Sequence, residues 1–233
     1  MKVKLIAATE VDPDALREIG FEPDIYNEPD DDGPFGDYDA DELAEFAGRN
    51  CYRSFDRPNP ATADNEDYLE HILNVGHESV LEHASATFYI EVSRSVLAEL
   101  ERHRHLSFSV VSQRYVDPVP LGFHVPPALQ GEDDLQLIWD LATTTYGTIV
   151  DHLTAKGLPR KQVREAARAV LPNMTNSPMV VTGNHRAWRN VIKARWHKAA
   201  DAEIRALAGE LLKQLREIAP NTYQDIPDEP YGG

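Results

Sequence analysis

Residues 102–115 read RHRHLSFSVVSQRY, gathering Arg102, Arg104 and Arg114 with two histidines and three serines in a 233-residue chain of formal net charge −16. A basic cluster of this density in an acidic chain calls for an anionic counterpart, and the fold is expected to be organised around it. Guanidinium forks grip a phosphate or a carbonyl-rich ring through two parallel hydrogen bonds. Serine hydroxyls and backbone N–H groups supply further donors, so an anionic small molecule is the expected ligand. For the Arg-His-Arg triplet alone, a helix end with surface arginines is the competing reading.

Asp and Glu number 39 against 23 Lys and Arg. Such a surface repels polyanions, so general nucleic-acid binding is not expected. The acid excess is also what a protein kept hydrated at high salt would carry, although ordinary proteins reach the same balance. The length suits one domain with a full core, expected over residues 1–220, followed by a polar, loosely held tail at 221–233. The apolar runs are short, the longest near 86–92, so no membrane span fits. The N-terminus, MKVKLIAATEVD, reads as a first strand rather than a leader, and a cytoplasmic protein is expected. The single cysteine, Cys51, excludes an internal disulfide and a cysteine-rich metal cluster. It is expected to be a small buried apolar residue.

Periodicity supplies the elements. Residues 3–9 read as a strand, 28–37 as a charged loop, and a helix starts at Asp39 with Leu43, Phe46 and Ala47 on one face. A second helix over 67–75 stops at Gly76. Residues 86–92, ATFYIEV, alternate as a strand with Phe88, Ile90 and Val92 on one side. Ser93 or Ser95 then opens a helix through Val96, Leu97 and Leu100, expected to carry residues 102–104 at its C-terminal end, where cations suit the helix dipole. The serine-rich stretch beyond is expected to be a loop presenting Ser112, Gln113 and Arg114. GFHVP, 122–126, is a short extended segment, and a long helix is expected from Asp133 to about Lys156. A shorter helix runs from Pro159 to Pro172 and carries Arg168. Residues 177–182 form the last strand, and a helix after Gly183 displays Asn184, Arg186 and Asn190. The whole reads as an α/β (α+β) chain with a central mixed or antiparallel sheet and flanking helices.

GHESVLEH, 76–83, has the His-Glu and second His of a zinc protease, but position 81, where the second histidine would have to fall, is Leu. No metal site is expected.

Four segments together resemble the flavin-dependent thymidylate synthases. Arg102-His103-Arg104, seven residues, Ser112, one residue and Arg114 follow that family's signature. Residues 76–83 match its Gly-His-x-Ser/Thr-x-x-Glu-His segment, ARAVLP places Arg168, and Asn184, Arg186, Asn190 and Arg195 follow its last motif. The resemblance covers roughly residues 50–205. It implies reductive methylation of dUMP to dTMP, with 5,10-methylenetetrahydrofolate as carbon donor and NADPH-reduced FAD as hydride source, and a homotetramer with sites shared between subunits.

By this resemblance Ser54, His77, Ser79, Glu82, Arg102, His103, Arg104, Asn184, Arg186 and Asn190 bind FAD. Ser54 is also readable as a turn serine. Arg102, Ser112, Gln113, Arg114, Arg168 and Arg195 bind dUMP, with Arg195, Ser112 and Arg114 closest to the chemistry. No catalytic cysteine is needed. The chain departs from some relatives at Glu99, where they carry Gln, and at Ser109 and Val110, where they carry Asn and Glu. Two rivals remain open: another flavin-dependent reductase on the same scaffold, and a non-enzymatic nucleotide-binding module.

Overall fold

The computed structural model describes residues 1–23, 39–55, 59–132 and 134–232. The charged loop expected over 28–37 lies outside them. Four strands, β1 (Lys2–Ala8), β2 (Ser85–Ser93), β3 (Ser107–Val110) and β4 (Asn176–Asn184), form one antiparallel sheet in the order β1-β2-β4-β3. The strand expected at 3–9 and the alternation at 86–92 are both realised.

The alternation sets which face is dry. On β2, Phe88, Ile90 and Val92 are fully buried, and β4 sets Val181 opposite Phe88 and Met179 opposite Ile90. Three helices cover this face: α4 (Arg94–Leu100), α7 (His185–Arg195) and α8 (Ala202–Ile218). On α8, Leu207, Leu211 and Leu215 recur every four residues and pack into the core, each burial contributing about 2 kcal/mol. The Trp188 indole N–H donates to the Ala86 carbonyl at 3.0 Å, and its ring meets Phe88 edge-on at 5.1 Å. The sheet's other face is half-buried, with the hydroxyls of Thr87 and Thr182 joined at 2.9 Å.

A smaller core joins α2 (Asp39–Tyr52), α3 (Asn65–Val75) and a 3-10 turn at Glu78–Glu82 through Ala44, Tyr68, Leu69, Ile72, Val80 and Leu81. Gly76 ends α3 with φ 74°, a left-handed conformation that glycine adopts without strain. The remaining helices are α1 (Pro13–Ile19), α5 (Asp134–Ala155) and α6 (Arg160–Ala167). The described residues thus hold eight helices beside the sheet, and no helix among them is long and apolar enough to cross a membrane.

Four expectations are corrected. Helix α4 stops at Leu100, and residues 102–106 form a turn beyond it. Residues 107–110 form strand β3 rather than a loop, since Phe108 and Val110 alternate with the more exposed Ser107 and Ser109 and pair with Val181 and Met179. Cys51 is exposed, because α2 extends to Tyr52 and turns it outward. The C-terminal segment is not loosely held: Thr222, Tyr223 and Ile226 are buried, and the Trp196 indole donates to the Pro227 carbonyl at 3.0 Å.

Candidate functional site

Strand β4 passes into α7 without a connecting loop. Asn184 is both the last strand residue and the helix cap, its Oδ1 accepting the Ala187 N–H at 2.8 Å. Ala187, Trp188, Val191 and Ile192 bury one face of α7, leaving Arg186, Asn190 and Lys193 along the other. The 3-10 turn at Glu78–Glu82 lies opposite. The His185 N–H donates to the Ala84 carbonyl at 3.1 Å, which ties the end of that turn to the start of α7.

Glu82 pairs with Arg186, and Glu78 accepts from Lys193 at 2.8 Å. An open cleft of about 440 Å³ results, with Glu78, Glu82, His105, Asn184, Arg186, Asn190 and Lys193 in its wall. Burial works against ionisation of Glu78, but its bonds and charge attraction to Lys193 and Arg189 outweigh that and hold its pKa below the ordinary value.

A second cleft, of about 240 Å³, shares His105, Ala187 and Asn190 with the first and is walled by Arg102, His103, Arg104 and Leu106. The turn carrying these residues is closed by backbone bonds from His103 N to Leu100 O at 3.0 Å and from Leu106 N to His103 O at 3.2 Å.

Behind it stands Arg195, whose Nη1 donates to the Glu99 carboxylate at 2.7 Å and whose Nε donates to His103 Nε2 at 3.1 Å. Burial lowers the His103 pKa; the contact with Asn190 opposes this, and the Arg195 charge adds to it. A neutral imidazole that accepts at Nε2 carries its proton on Nδ1, which then donates to Asn190 Oδ1 at 3.4 Å. The Asn190 NH₂ is left to face the clefts as a donor.

Of the residues expected to bind FAD, Glu82, Arg102, His103, Arg104, Asn184, Arg186 and Asn190 therefore come together here. His77 and Ser79 sit exposed in the facing segment, on either side of Glu78, and line neither cleft. Ser54 follows the end of α2, its N–H on the Arg49 carbonyl at 3.1 Å, and also lines neither.

Of the residues expected at dUMP, Arg102 lines the second cleft and Arg195 stands behind it, while the others line neither cleft. Ser112, Gln113 and Arg114 follow β3, and this loop is tied to α6 by the Arg164 guanidinium donating to the Tyr115 carbonyl. Arg168 begins the 3-10 turn at the end of α6 and is exposed. Gln113 is buried, and its Nε2 has no hydrogen-bond partner among the described residues.

Sequence reading missed Glu78 and Lys193. Lys193 stands seven residues after Arg186 and three after Asn190, the spacing of one helical face, and that periodicity was the available signal. Glu78 occupies a variable position of its motif, so only the facing helix reveals it.

The donor set fits a flavin and a nucleotide phosphate. Side-chain amides both donate and accept, as a ring edge of mixed carbonyl and N–H groups requires. Arg102, Arg104, Arg186 and Lys193 supply charge for a phosphate.

Comparison with known proteins agrees. The family model described as "Thymidylate synthase complementing protein" matches residues 36–221. A protein of Mycobacterium phage L5, named "Probable flavin-dependent thymidylate synthase", is 74% identical over 241 aligned positions, covering 99% of each chain. One of Mycobacterium phage D29 with the same name is 74% identical over 201 positions, covering 82% of this chain and 86% of its own. A "Flavin-dependent thymidylate synthase" of Mycobacterium tuberculosis is 51% identical over 196 positions, covering 79% of this chain and 78% of its own.

Proposed function

Because the chain belongs to the flavin-dependent thymidylate synthase family, we propose that the clefts along α7 are its FAD site and that the 112–114 loop with Arg168 is its dUMP site. The enzyme makes dTMP by reductive methylation of dUMP, taking its carbon from 5,10-methylenetetrahydrofolate and releasing tetrahydrofolate. FAD, reduced by NADPH, supplies the hydride.

The observation that carries the site reading is convergence. Segments 76–83, 102–106 and 184–193, far apart in sequence, meet around two adjoining clefts. Asn184 and Asn190 orient the flavin edge, while Arg102, Arg104 and Arg186 hold anionic groups. His103, neutral and fixed by Asn190, keeps the Arg195 guanidinium aimed. Arg195 then stabilises negative charge developing on the uracil as its C5 becomes nucleophilic, and Arg114 and Ser112 position the nucleotide. No thiolate is required.

Ser112, Gln113, Arg114 and Arg168 line neither cleft of their own chain, whereas Arg102 lines the second and Arg195 stands behind it; this division supports a homotetramer whose complete sites are shared between subunits. Leu137 and Leu141, each 68% exposed on α5, offer an apolar face for such assembly. The enzyme works in the cytoplasm.

An anaerobic assay of purified protein with FAD, NADPH, methylenetetrahydrofolate and dUMP tests the reading. The expected products are dTMP and tetrahydrofolate. NADPH oxidation without dTMP would instead mark a reductase on this scaffold, and a protein that binds dUMP but holds no flavin would mark a nucleotide-binding module.

A further inference from the structure

Helix α7 presents Arg186, Asn190 and Lys193 to the cleft, and beside them, one turn before Lys193, it holds a buried cation that the proposed chemistry does not use. Arg189 is fully buried. Its Nη1 and Nη2 donate to the two carboxylate oxygens of Asp225 at 2.7 Å each, and Nη1 also donates to the Thr222 carbonyl. Arg189 Nη2 stands 3.5 Å from Glu78 Oε1, the oxygen that accepts from Lys193 at 2.8 Å, and Lys193 Nζ lies 3.9 Å from Asp225 Oδ2. Two cations and two carboxylates thus alternate in a closed ring. Glu78 and Lys193 belong to the cleft wall, whereas Arg189 and Asp225 lie behind it.

We propose that the C-terminal segment 221–226 positions the FAD cleft through this ring, with Asp225 and Arg189 acting as positioning residues for Glu78 and Lys193. A buried guanidinium must keep a carboxylate partner. While Asp225 supplies two bonds at 2.7 Å, Arg189 keeps only a longer contact of 3.5 Å to Glu78 and leaves the shorter one, 2.8 Å, to Lys193. Without the Asp225 charge, Arg189 draws the Glu78 carboxylate inward, and Lys193 loses the contact that fixes it in the wall. Polar contacts that orient a binding residue from behind commonly matter nearly as much as the contacts they support. The inference rests on the reading that this cleft takes FAD.

The test uses the full-length protein and titrates FAD by flavin fluorescence, with the melting temperature recorded in parallel. Asp225→Asn keeps the side-chain shape and is expected to weaken FAD binding about tenfold, the scale of lost outer-shell support. Glu78→Gln, at the solvent side of the ring, provides a second route and is expected to weaken it similarly. Lys193→Met weakens binding alone, but Asp225→Asn added to it costs little more, because both act through one contact. Asp228→Asn, which removes the neighbouring tail pair with Arg216, is expected to leave FAD affinity unchanged. Unaltered FAD affinity in both Asp225→Asn and Glu78→Gln would overturn the proposal, as would independent, multiplying effects of Asp225→Asn and Lys193→Met. A wild-type protein that binds no FAD would instead overturn the cofactor reading on which the ring's role rests.

Discussion

Arg195 meets Glu99 twice, donating from Nη1 to its carboxylate at 2.7 Å and from Nη2 to its backbone carbonyl at 3.3 Å. Glu99, where some relatives are expected to carry Gln, therefore has a charged partner. A carboxylate rather than an amide holds the guanidinium proposed to face the uracil, and the bond is charge-assisted.

Arg195→Ala removes a group proposed to stabilise charge developing during the reaction. It is expected to cut dTMP formation about 10²- to 10³-fold, the scale of losing one such donor, while flavin remains bound. Turnover measured beside flavin content checks this, and unchanged turnover would sink the assignment.

His103 holds Arg195 only as a neutral acceptor. Its pKa is lowered first by burial and further by the Arg195 charge. The fold thus favours the neutral form, and that contribution to stability is lost as pH falls from the ordinary imidazole range through the lowered value. In Arg195→Ala the His103 titration, followed by NMR, should move upward.

Asp41 is fully buried on α2 and accepts from Asn221 N at 2.8 Å, from Thr222 N at 2.9 Å and from Thr222 Oγ1 at 2.5 Å. Burial outweighs these bonds and raises its pKa to about 6. The folded chain therefore binds this proton more tightly than the unfolded one, and the resulting stability is present below about pH 4 and lost as pH rises through 6. Asp41→Ala orphans three donors and is expected to cost about 3 kcal/mol. It should also flatten this part of the pH dependence, which urea melts at several pH values would measure.

Gly183 sits where β4 enters α7. A Cβ there would overlap Leu106 Cδ2 and come within 3.3 Å of the Trp188 indole nitrogen. Gly183→Ala is expected to destabilise the fold by about 1–3 kcal/mol and, by pushing Leu106, to disturb the turn at 102–106. Thermal melts with a flavin titration would reveal both effects.

Charges placed on the exposed face of α5 should disrupt the proposed assembly. The double substitution Leu137→Glu with Leu141→Glu is expected to shift the protein to smaller species in sedimentation analysis, with activity falling as the species shrink. A single species unchanged by both substitutions would speak against that face.

Much of the fold was legible because its elements carry clean periods. Phe88, Ile90 and Val92 mark β2, and Ser93 caps α4 by accepting the Val96 N–H at 3.2 Å. Ser107 and Ser109 resemble loop residues and so mask strand β3, although Phe108 and Val110 keep a period of two. The polar composition of DIPDEPYGG masks an anchored tail, whose neighbour Tyr223 is wholly buried beside His185, with the hydroxyl 3.0 Å from Nδ1. No local pattern says that residues 76–83 and 184–193 face each other. The pairing of β2 with β4 brings them together, and in the sequence only the family resemblance links them. Glu78 and Lys193 acquire meaning only as a pair.

The direct passage from β4 to α7 has a mechanical consequence. Asn184 pairs with Ser85 in the ladder and caps the helix with the same residue, so the cleft floor has no hinge of its own. Its backbone amides should exchange with solvent as slowly as those of the central strands, through opening of the whole sheet. The turn at 102–106, held by short-range backbone bonds, should exchange far faster. One wall of the site is therefore a rigid anvil, and adjustment to a ligand falls to the other.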